Sequence, residues 1–297
     1  PERQAGQRVT LRGDNPLAEY REAKALGIET RPVLLGPVSF LRLSKTTDGS
    51  DPLDLLDTLL PVYAQLLEAL QAEGARWVQL DEPVLVQDLD DAARVAFRQA
   101  YARLADGPHP DILLATYFGA LDDNLALAAS LPVQGLHVDL VRAPEQLDAV
   151  LRALPAGRVL SLGLVDGRNI WRNPLDNALI LARYARGHRG DDKLWLAPSC
   201  SLLHCPVDLA LEKKLDAELR NWLAFARQKL DELRLLADAL DGHAGTEAAL
   251  AQAREAVETR RRSPRVHNPA VKARVTALTA ADATRAQLLS SRQQLER

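Results

Sequence analysis

Arg76-Trp77-Val78-Gln79-Leu80 runs straight into Asp81-Glu82-Pro83, and this junction decides the fold. The five residues before Asp81 read as a buried strand. An amphipathic helix precedes them and stops at Gly74. Adjacent carboxylates at the carboxyl end of a buried strand are costly unless something uses or pairs them. In parallel α/β folds, chemistry collects at that end of the strands. The competing reading is structural: an ion pair or helix cap that closes the strand. The tripeptide alone supports both.

Working outward, strand and helix patterns alternate. A helix over residues 16–26 stops at Gly27, and Arg31-Pro32-Val33-Leu34-Leu35-Gly36-Pro37 reads as an apolar strand. Residues 51–73 follow as a helix, with Leu55, Leu59, Leu66 and Leu70 at helical spacing and Pro61 expected to kink it. Further helices are predicted over residues 91–105, from residue 122, and over 145–154 and 174–186. Strands are predicted over 112–117, 136–140, 159–164 and 194–198. A single long helix is predicted over 215–240, with Leu215, Leu219, Leu223, Leu230, Leu233 and Leu240 on one face. Continuous apolar strands, each followed by a helix, imply a parallel sheet covered on both faces. The six strands fit a doubly wound sheet, or a (β/α)8 barrel with six βα units present and its first two strands missing. No Gly-x-Gly-x-x-Gly follows the first strand, which argues against a dinucleotide site.

Composition narrows the class. The chain has 297 residues, 47% hydrophobic and 26% charged, with a formal net charge of −3. Duplex nucleic acid is therefore not an expected partner. No apolar run approaches the roughly 20 residues of a membrane span. Two cysteines, Cys200 and Cys205, close together in one segment, exclude a disulfide framework and make the cytoplasm the default location. The chain starts at Pro1 and contains no Met, which suggests a fragment or an edited sequence. After residue 241 the pattern changes. Residues 245–258 are Ala-rich and helical, and Arg260-Arg261-Arg262 leads to Val266-His267-Asn268-Pro269 and a last helix. The expected organisation is a barrel domain over residues 1–241 and a helical extension over 242–297.

Polar residues gather after the strands, as an active face requires. They are Lys45, then Asp81 and Glu82, then Tyr117, then Asp139 and Arg142, then Asp166, Arg168 and Asn169, and last Ser199, Cys200 and His204. Cys200-Ser-Leu-Leu-His204-Cys205 invites a zinc reading. Against it stand the absence of any other Cys and the adjacency of His204 and Cys205. The alternative is a small thiol in the bend after the last strand. His137 lies mid-strand and reads as a core histidine.

Several stretches carry a resemblance. They are Pro32-Val-Leu-Leu-Gly-Pro-Val-Ser-Phe-Leu, Trp77-Val-Gln-Leu-Asp-Glu-Pro, Leu131-Pro-Val-Gln-Gly-Leu-His-Val-Asp-Leu-Val, Gly167-Arg-Asn-Ile-Trp-Arg, Pro198-Ser-Cys-Ser-Leu-Leu-His and Arg265-Val-His-Asn-Pro-Ala-Val. Across essentially its whole length the chain resembles the amino-terminal half of the cobalamin-independent methionine synthases. That family moves a methyl group from 5-methyltetrahydropteroyltri-L-glutamate to L-homocysteine. The resemblance implies two barrels from an ancient duplication. The second, absent here, binds zinc and homocysteine. The first, to which this chain corresponds, holds no cofactor.

On that pattern the duplicated zinc positions fall on Ala115, Tyr117, Asp139 and Cys200, of which only Asp139 and Cys200 could ligate. These two are read as remnants, and Asp81 and Glu82 as structural strand-end carboxylates. The resemblance further implies that this half assists folate polyglutamate binding and packs on the carboxy-terminal barrel. Candidate anion contacts are Lys45, Arg142, Arg168 and Arg172, and no catalytic residue or metal is expected in this chain. A scaffold with no ligand of its own is the alternative. The isolated chain is expected to be a monomer without activity.

Overall fold

The computed structural model describes residues 2–284, 289, 290 and 293. Its centre is a six-stranded, all-parallel sheet: β2 (Val33–Leu35), β4 (Trp77–Asp81), β5 (Asp111–Ala115), β6 (Gly135–Asp139), β7 (Val159–Val165) and β8 (Leu194–Pro198), paired in that order. Two short strands outside it, β1 (Glu2–Arg3) and β3 (Lys45–Thr46), pair in parallel. Between the strands run α1 (Asn15–Ala25), α2 (Pro37–Arg42), α3 (Leu56–Ala72), α4 (Asp91–Ala105), α5 (Leu125–Ser130), α6 (Leu147–Ala153) and α7 (Leu175–Arg189). After β8 come α8 (Ala217–Trp222), α9 (Ala226–Leu240), α10 (Thr246–Arg262) and α11 (Pro269–Thr276).

The strands form where apolar runs were expected. β6 and β7 are buried along their whole length, as strands covered on both faces must be. α3 continues through Pro61 as one helix, and Leu55, Leu59, Leu66 and Leu70 all enter the core. The sheet is rolled. Four strand spacings separate β4 from β8, about 19 Å if the sheet were flat. Yet the rings of Trp77 on β4 and Trp195 on β8 meet edge to face with centroids 4.7 Å apart. Only a sheet curved towards closure allows that contact. The fold is thus α/β of the (β/α)-barrel type, with six βα units.

The expected helix over 215–240 is two helices. Leu223 and Phe225 are extended, and Leu223 forms an antiparallel bridge with Trp171. Ala224 N–H donates to the Ile170 carbonyl. Competition from this bridge ends the first helix. Leu223 and Phe225 are buried in a satellite cluster with Leu209, on which Leu215, Leu219 and Trp171 pack. In α9 the buried face differs from the expected leucine stripe. Lys229, Glu232, Leu236 and Ala239 are inside, whereas Leu230 is 55% exposed. α10 lies on α7, α8 and α9, with Leu250 and Ala253 in the main core.

Candidate functional site

A cleft of about 510 Å³ opens inside the rolled sheet, lined in part by Arg31 ahead of β2, Gln79 and Asp81 of β4, Tyr117, His137 and Cys200. Each polar group there has a definable setting. Asp81 closes β4. Its Oδ1 accepts from Gln79 Nε2 at 2.7 Å and its Oδ2 from the Tyr117 hydroxyl at 3.0 Å. Burial raises its pKa against these hydrogen bonds and the attraction of Arg31.

Glu82 turns the other way, out of the cleft and under α2. Oε2 accepts from Ser39 N–H at 2.7 Å, and Oε1 accepts from Val38 N–H at 3.3 Å and from the Tyr101 hydroxyl at 3.1 Å. The carboxylate satisfies amides that the first turn of a helix leaves open. Gly36 leaves the room: a Cβ there would lie 2.2 Å from Glu82 Oε1. Complete burial outweighs the hydrogen bonds and pushes the Glu82 pKa up to about 7.

Asp139 is also spent on backbone. Oδ1 accepts from Val141 and Arg142 N–H at 3.0 and 2.9 Å, and Oδ2 from Phe118 N–H at 3.0 Å. It thereby holds Phe118 at φ 82°, a left-handed conformation that bulky residues rarely adopt. The Phe118 ring lies edge to face with Tyr117, and the Arg168 guanidinium sits over it at 4.3 Å. His137 bridges Ser161 Oγ and the Ser199 carbonyl, and burial lowers its pKa to about 4, so it is neutral at pH 7. Close packing behind it depends on Gly163, where a Cβ would come within 2.8 Å of Ser199 Cα and of the Val138 carbonyl. Burial lifts the Cys200 thiol to about 11, so it stays protonated. Cys205 donates its thiol to the Gly167 carbonyl at 3.2 Å.

The structure thus brings Asp81, Tyr117, His137 and Cys200 to one cleft. It leaves other candidates apart. Lys45 is exposed on β3, outside the main sheet. Arg142 is exposed beside Asp139. Arg172 donates Nε to the Asn221 carbonyl at 2.7 Å, on the side of the satellite cluster. Among the described residues, no three His, Cys, Asp or Glu side chains are grouped to hold a metal ion.

Two parts of this region escape sequence reading. Arg31 lines the cleft and lies 5.2 Å from the Trp195 ring centroid. The adjacent Pro32 and the apolar run hid it as a strand-leading residue. Lys229 is fully buried and donates to Asn169 Oδ1 and the Trp171 carbonyl at 3.3 and 3.2 Å. Burial lowers its pKa. Nothing in an amphipathic helix marks one lysine as the inward one.

Residues 1–188 match the family described as cobalamin-independent synthase, N-terminal domain. The chain belongs to this family. Its similarity continues beyond those residues. A 5-methyltetrahydropteroyltriglutamate–homocysteine methyltransferase of Xylella fastidiosa is 67% identical over 279 residues, covering 94% of this chain and 37% of the relative. Namesakes from Rhodopseudomonas palustris and Nitrobacter winogradskyi are 55% and 52% identical, with 95% and 100% of this chain covered. The chain spans little more than a third of these relatives' length. Among solved structures, a B12-independent methionine synthase from Shewanella sp. W3-18-1 in complex with selenomethionine superposes with a TM-score of 0.61 at 13% identity. The match covers 79% of this chain and 68% of that one. A methyltransferase from Methanosarcina mazei gives 0.52 at 17% identity, over 74% and 61% of the two chains. These likenesses concern the fold, and they agree with six consecutive βα units of a barrel. Among the described residues, no helix is long and apolar enough to cross a membrane.

Proposed function

We propose that this chain is the amino-terminal part of a cytoplasmic enzyme that transfers a methyl group from 5-methyltetrahydropteroyltriglutamate to homocysteine, yielding methionine. The observation that carries the proposal is the 67% identity to a methyltransferase of that name over nearly the whole chain. In this reading residues 1–241 are a barrel domain, and residues 242–297 lead towards a carboxy-terminal zinc barrel that performs the transfer.

The zinc chemistry does not belong to the cleft described above. Tyr117 donates to Asp81, Asp139 spends its oxygens on three amides, and Cys200 is held as a thiol, whereas zinc takes thiolate, imidazole or free carboxylate. Ala115 offers no donor atom. Asp139 and Cys200 are thus remnants of a duplicated site, and Asp81 and Glu82 are strand-end carboxylates with structural work. The isolated chain is inactive in methyl transfer.

Its own task is to help hold the folate polyglutamate and to brace the second barrel. Arg168 is the best placed of the cationic candidates. It is exposed and steadied on Phe118, which Asp139 fixes. Arg142 stands on the same carboxylate-anchored loop, and Lys45 and Arg172 are the remaining cationic candidates. In the full-length enzyme, Arg168→Ala should raise KM for the triglutamate substrate several-fold more than for the monoglutamate, because a lost charge-assisted contact affects only the substrate that makes it. Equal effects on both would remove tail binding and leave domain packing as the role of this half. Arg172, already hydrogen-bonded within the chain, favours that second outcome for its own position.

A further inference from the structure

The loop between β7 and α7 is anchored by two buried charges that the methyl-transfer reading does not use. Lys229 and Glu232 stand about one turn apart on the inner face of α9, 0% and 6% exposed. Lys229 Nζ donates to Asn169 Oδ1 at 3.3 Å and to the Trp171 carbonyl at 3.2 Å. Glu232 accepts from Asn173 N–H at 3.0 Å and from Asn173 Nδ2 at 2.6 Å. Buried charges are costly even when partnered, and apolar side chains would fill the same space without that cost. What the charges add is direction, because each hydrogen bond fixes one atom of the loop.

Both paths from α9 converge on Asp166. Asn173 Oδ1 accepts from the Asp166 N–H at 2.9 Å, and Asn169 Nδ2 donates to Asp166 Oδ2 at 2.6 Å. The remaining oxygen, Asp166 Oδ1, accepts from the Arg168 N–H at 2.8 Å. Hydrogen bonds thus run unbroken from α9 to the backbone of the residue whose guanidinium rests on Phe118. The segment after β8 closes another side. Gly167 N–H donates to Ser199 Oγ at 3.2 Å, and a Cβ on Gly167 would lie 2.8 Å from the Cys200 carbonyl. α10 adds a third hold. Its Arg260 guanidinium lies 4.6 Å from the Trp171 ring centroid. Trp222, whose carbonyl accepts from the Arg172 N–H, donates Nε1 to the neighbouring Thr259 hydroxyl at 3.1 Å.

We propose that Lys229, Glu232 and Arg260 are positioning residues, which set the loop of residues 166–173 so that Arg168 meets a carboxylate of the folate tail at a fixed place. The inference rests on the tail-binding role given to Arg168 above and adds what fixes that contact. An arginine on an untethered loop would have to give up backbone freedom each time a ligand bound. On a tethered loop that freedom is already lost on folding, so more of the contact appears as affinity. Arg260 makes the extension after residue 241 a part of this frame.

The test uses the full-length enzyme and two readouts. In Lys229→Met, hydrogen–deuterium exchange over residues 166–173 should quicken at least about tenfold, the worth of one hydrogen bond to a charged group, while the amides of β6 keep their protection. The triglutamate KM should rise several-fold relative to the monoglutamate KM, as in Arg168→Ala. The double variant Lys229→Met with Arg168→Ala should show the same ratio as Arg168→Ala alone. Arg260→Ala, at a half-buried surface position, and Glu232→Gln, which keeps an acceptor for the Asn173 N–H, should move both readouts the same way by less, and they carry the test where Lys229→Met fails to fold. Three results would each overturn the proposal. They are exchange that quickens equally over residues 166–173 and β6, a KM ratio that these variants leave unchanged while Arg168→Ala shifts it, and additive effects in the double variant. If Arg168→Ala itself left the ratio unchanged, the tail-binding reading would fall and take this proposal with it, with the tether of the loop still measured by exchange.

Discussion

Replacing Glu82 by Gln tests the burial of that carboxylate directly. The side chain is wholly enclosed between Val38, Ser39 and Tyr101. Its pKa rises from 4.5 to about 7 on folding, because loss of water outweighs its hydrogen bonds. The sign follows from proton counting. Below pH 4.5 folded and unfolded chains both carry the proton. Between 4.5 and about 7 the unfolded chain releases it while the folded chain keeps it, so stability falls as pH rises through this window. Above about 7 both are ionised and the loss is complete. Its size is about 3 kcal/mol, from 1.4 kcal/mol per decade of proton affinity. Gln is nearly isosteric and cannot ionise, so this component disappears in Glu82→Gln. Urea unfolding of both proteins at pH 5 and pH 8 should show the variant gaining about 2.5 kcal/mol relative to the parent between the two conditions, because part of the loss is already present at pH 5. A difference between parent and variant that stays constant to within about 0.5 kcal/mol would show that Glu82 titrates normally, and the reasoning from burial would fail.

Two further substitutions probe the same framework. Gly36→Ala places a methyl group where Glu82 Oε1 now sits, forcing the carboxylate off the α2 amides. A loss of about 2–3 kcal/mol in chemical denaturation is expected, and combining it with Glu82→Ala should cost clearly less than the sum of the two. Asp139→Asn keeps an oxygen for Val141 and Arg142 but turns an amide towards the Phe118 N–H. It should destabilise the chain by about 1–3 kcal/mol and, in the full-length enzyme, mimic Arg168→Ala in the triglutamate KM, since Arg168 rests on the ring this carboxylate fixes.

The sheet was legible because burial on both faces leaves an unmistakable apolar run. The 194–198 strand was placed to the residue, and 159–164 fell one residue short of Val165. The helix after β8 was less legible. Leucines recur across the whole of 215–240, but Leu215, Leu219 and Leu223 serve the satellite cluster, and α9 turns Lys229 and Glu232 inward instead of Leu230. Glu232 is repaid by accepting from Asn173 N–H and Nδ2 at 3.0 and 2.6 Å, partners 59 residues away that no local pattern shows. At the site, Asp81 and Glu82 stood out as a pair, but their opposite orientations follow from strand alternation plus the space at Gly36. Their distinct environments become visible only when α2 and the Tyr117 loop are in place. Arg31 was missed because its importance comes from Trp195, more than 160 residues away in sequence.

The meeting of Trp77 with Trp195 has an optical consequence. Of the four tryptophans, these two form a coupled pair across the rolled sheet, and their separation is set by its curvature. Flattening or opening the sheet parts the indoles before any strand has to melt. The near-ultraviolet dichroism of the pair is therefore a built-in gauge of how far the sheet is curled, reading the closure of the barrel separately from its secondary structure.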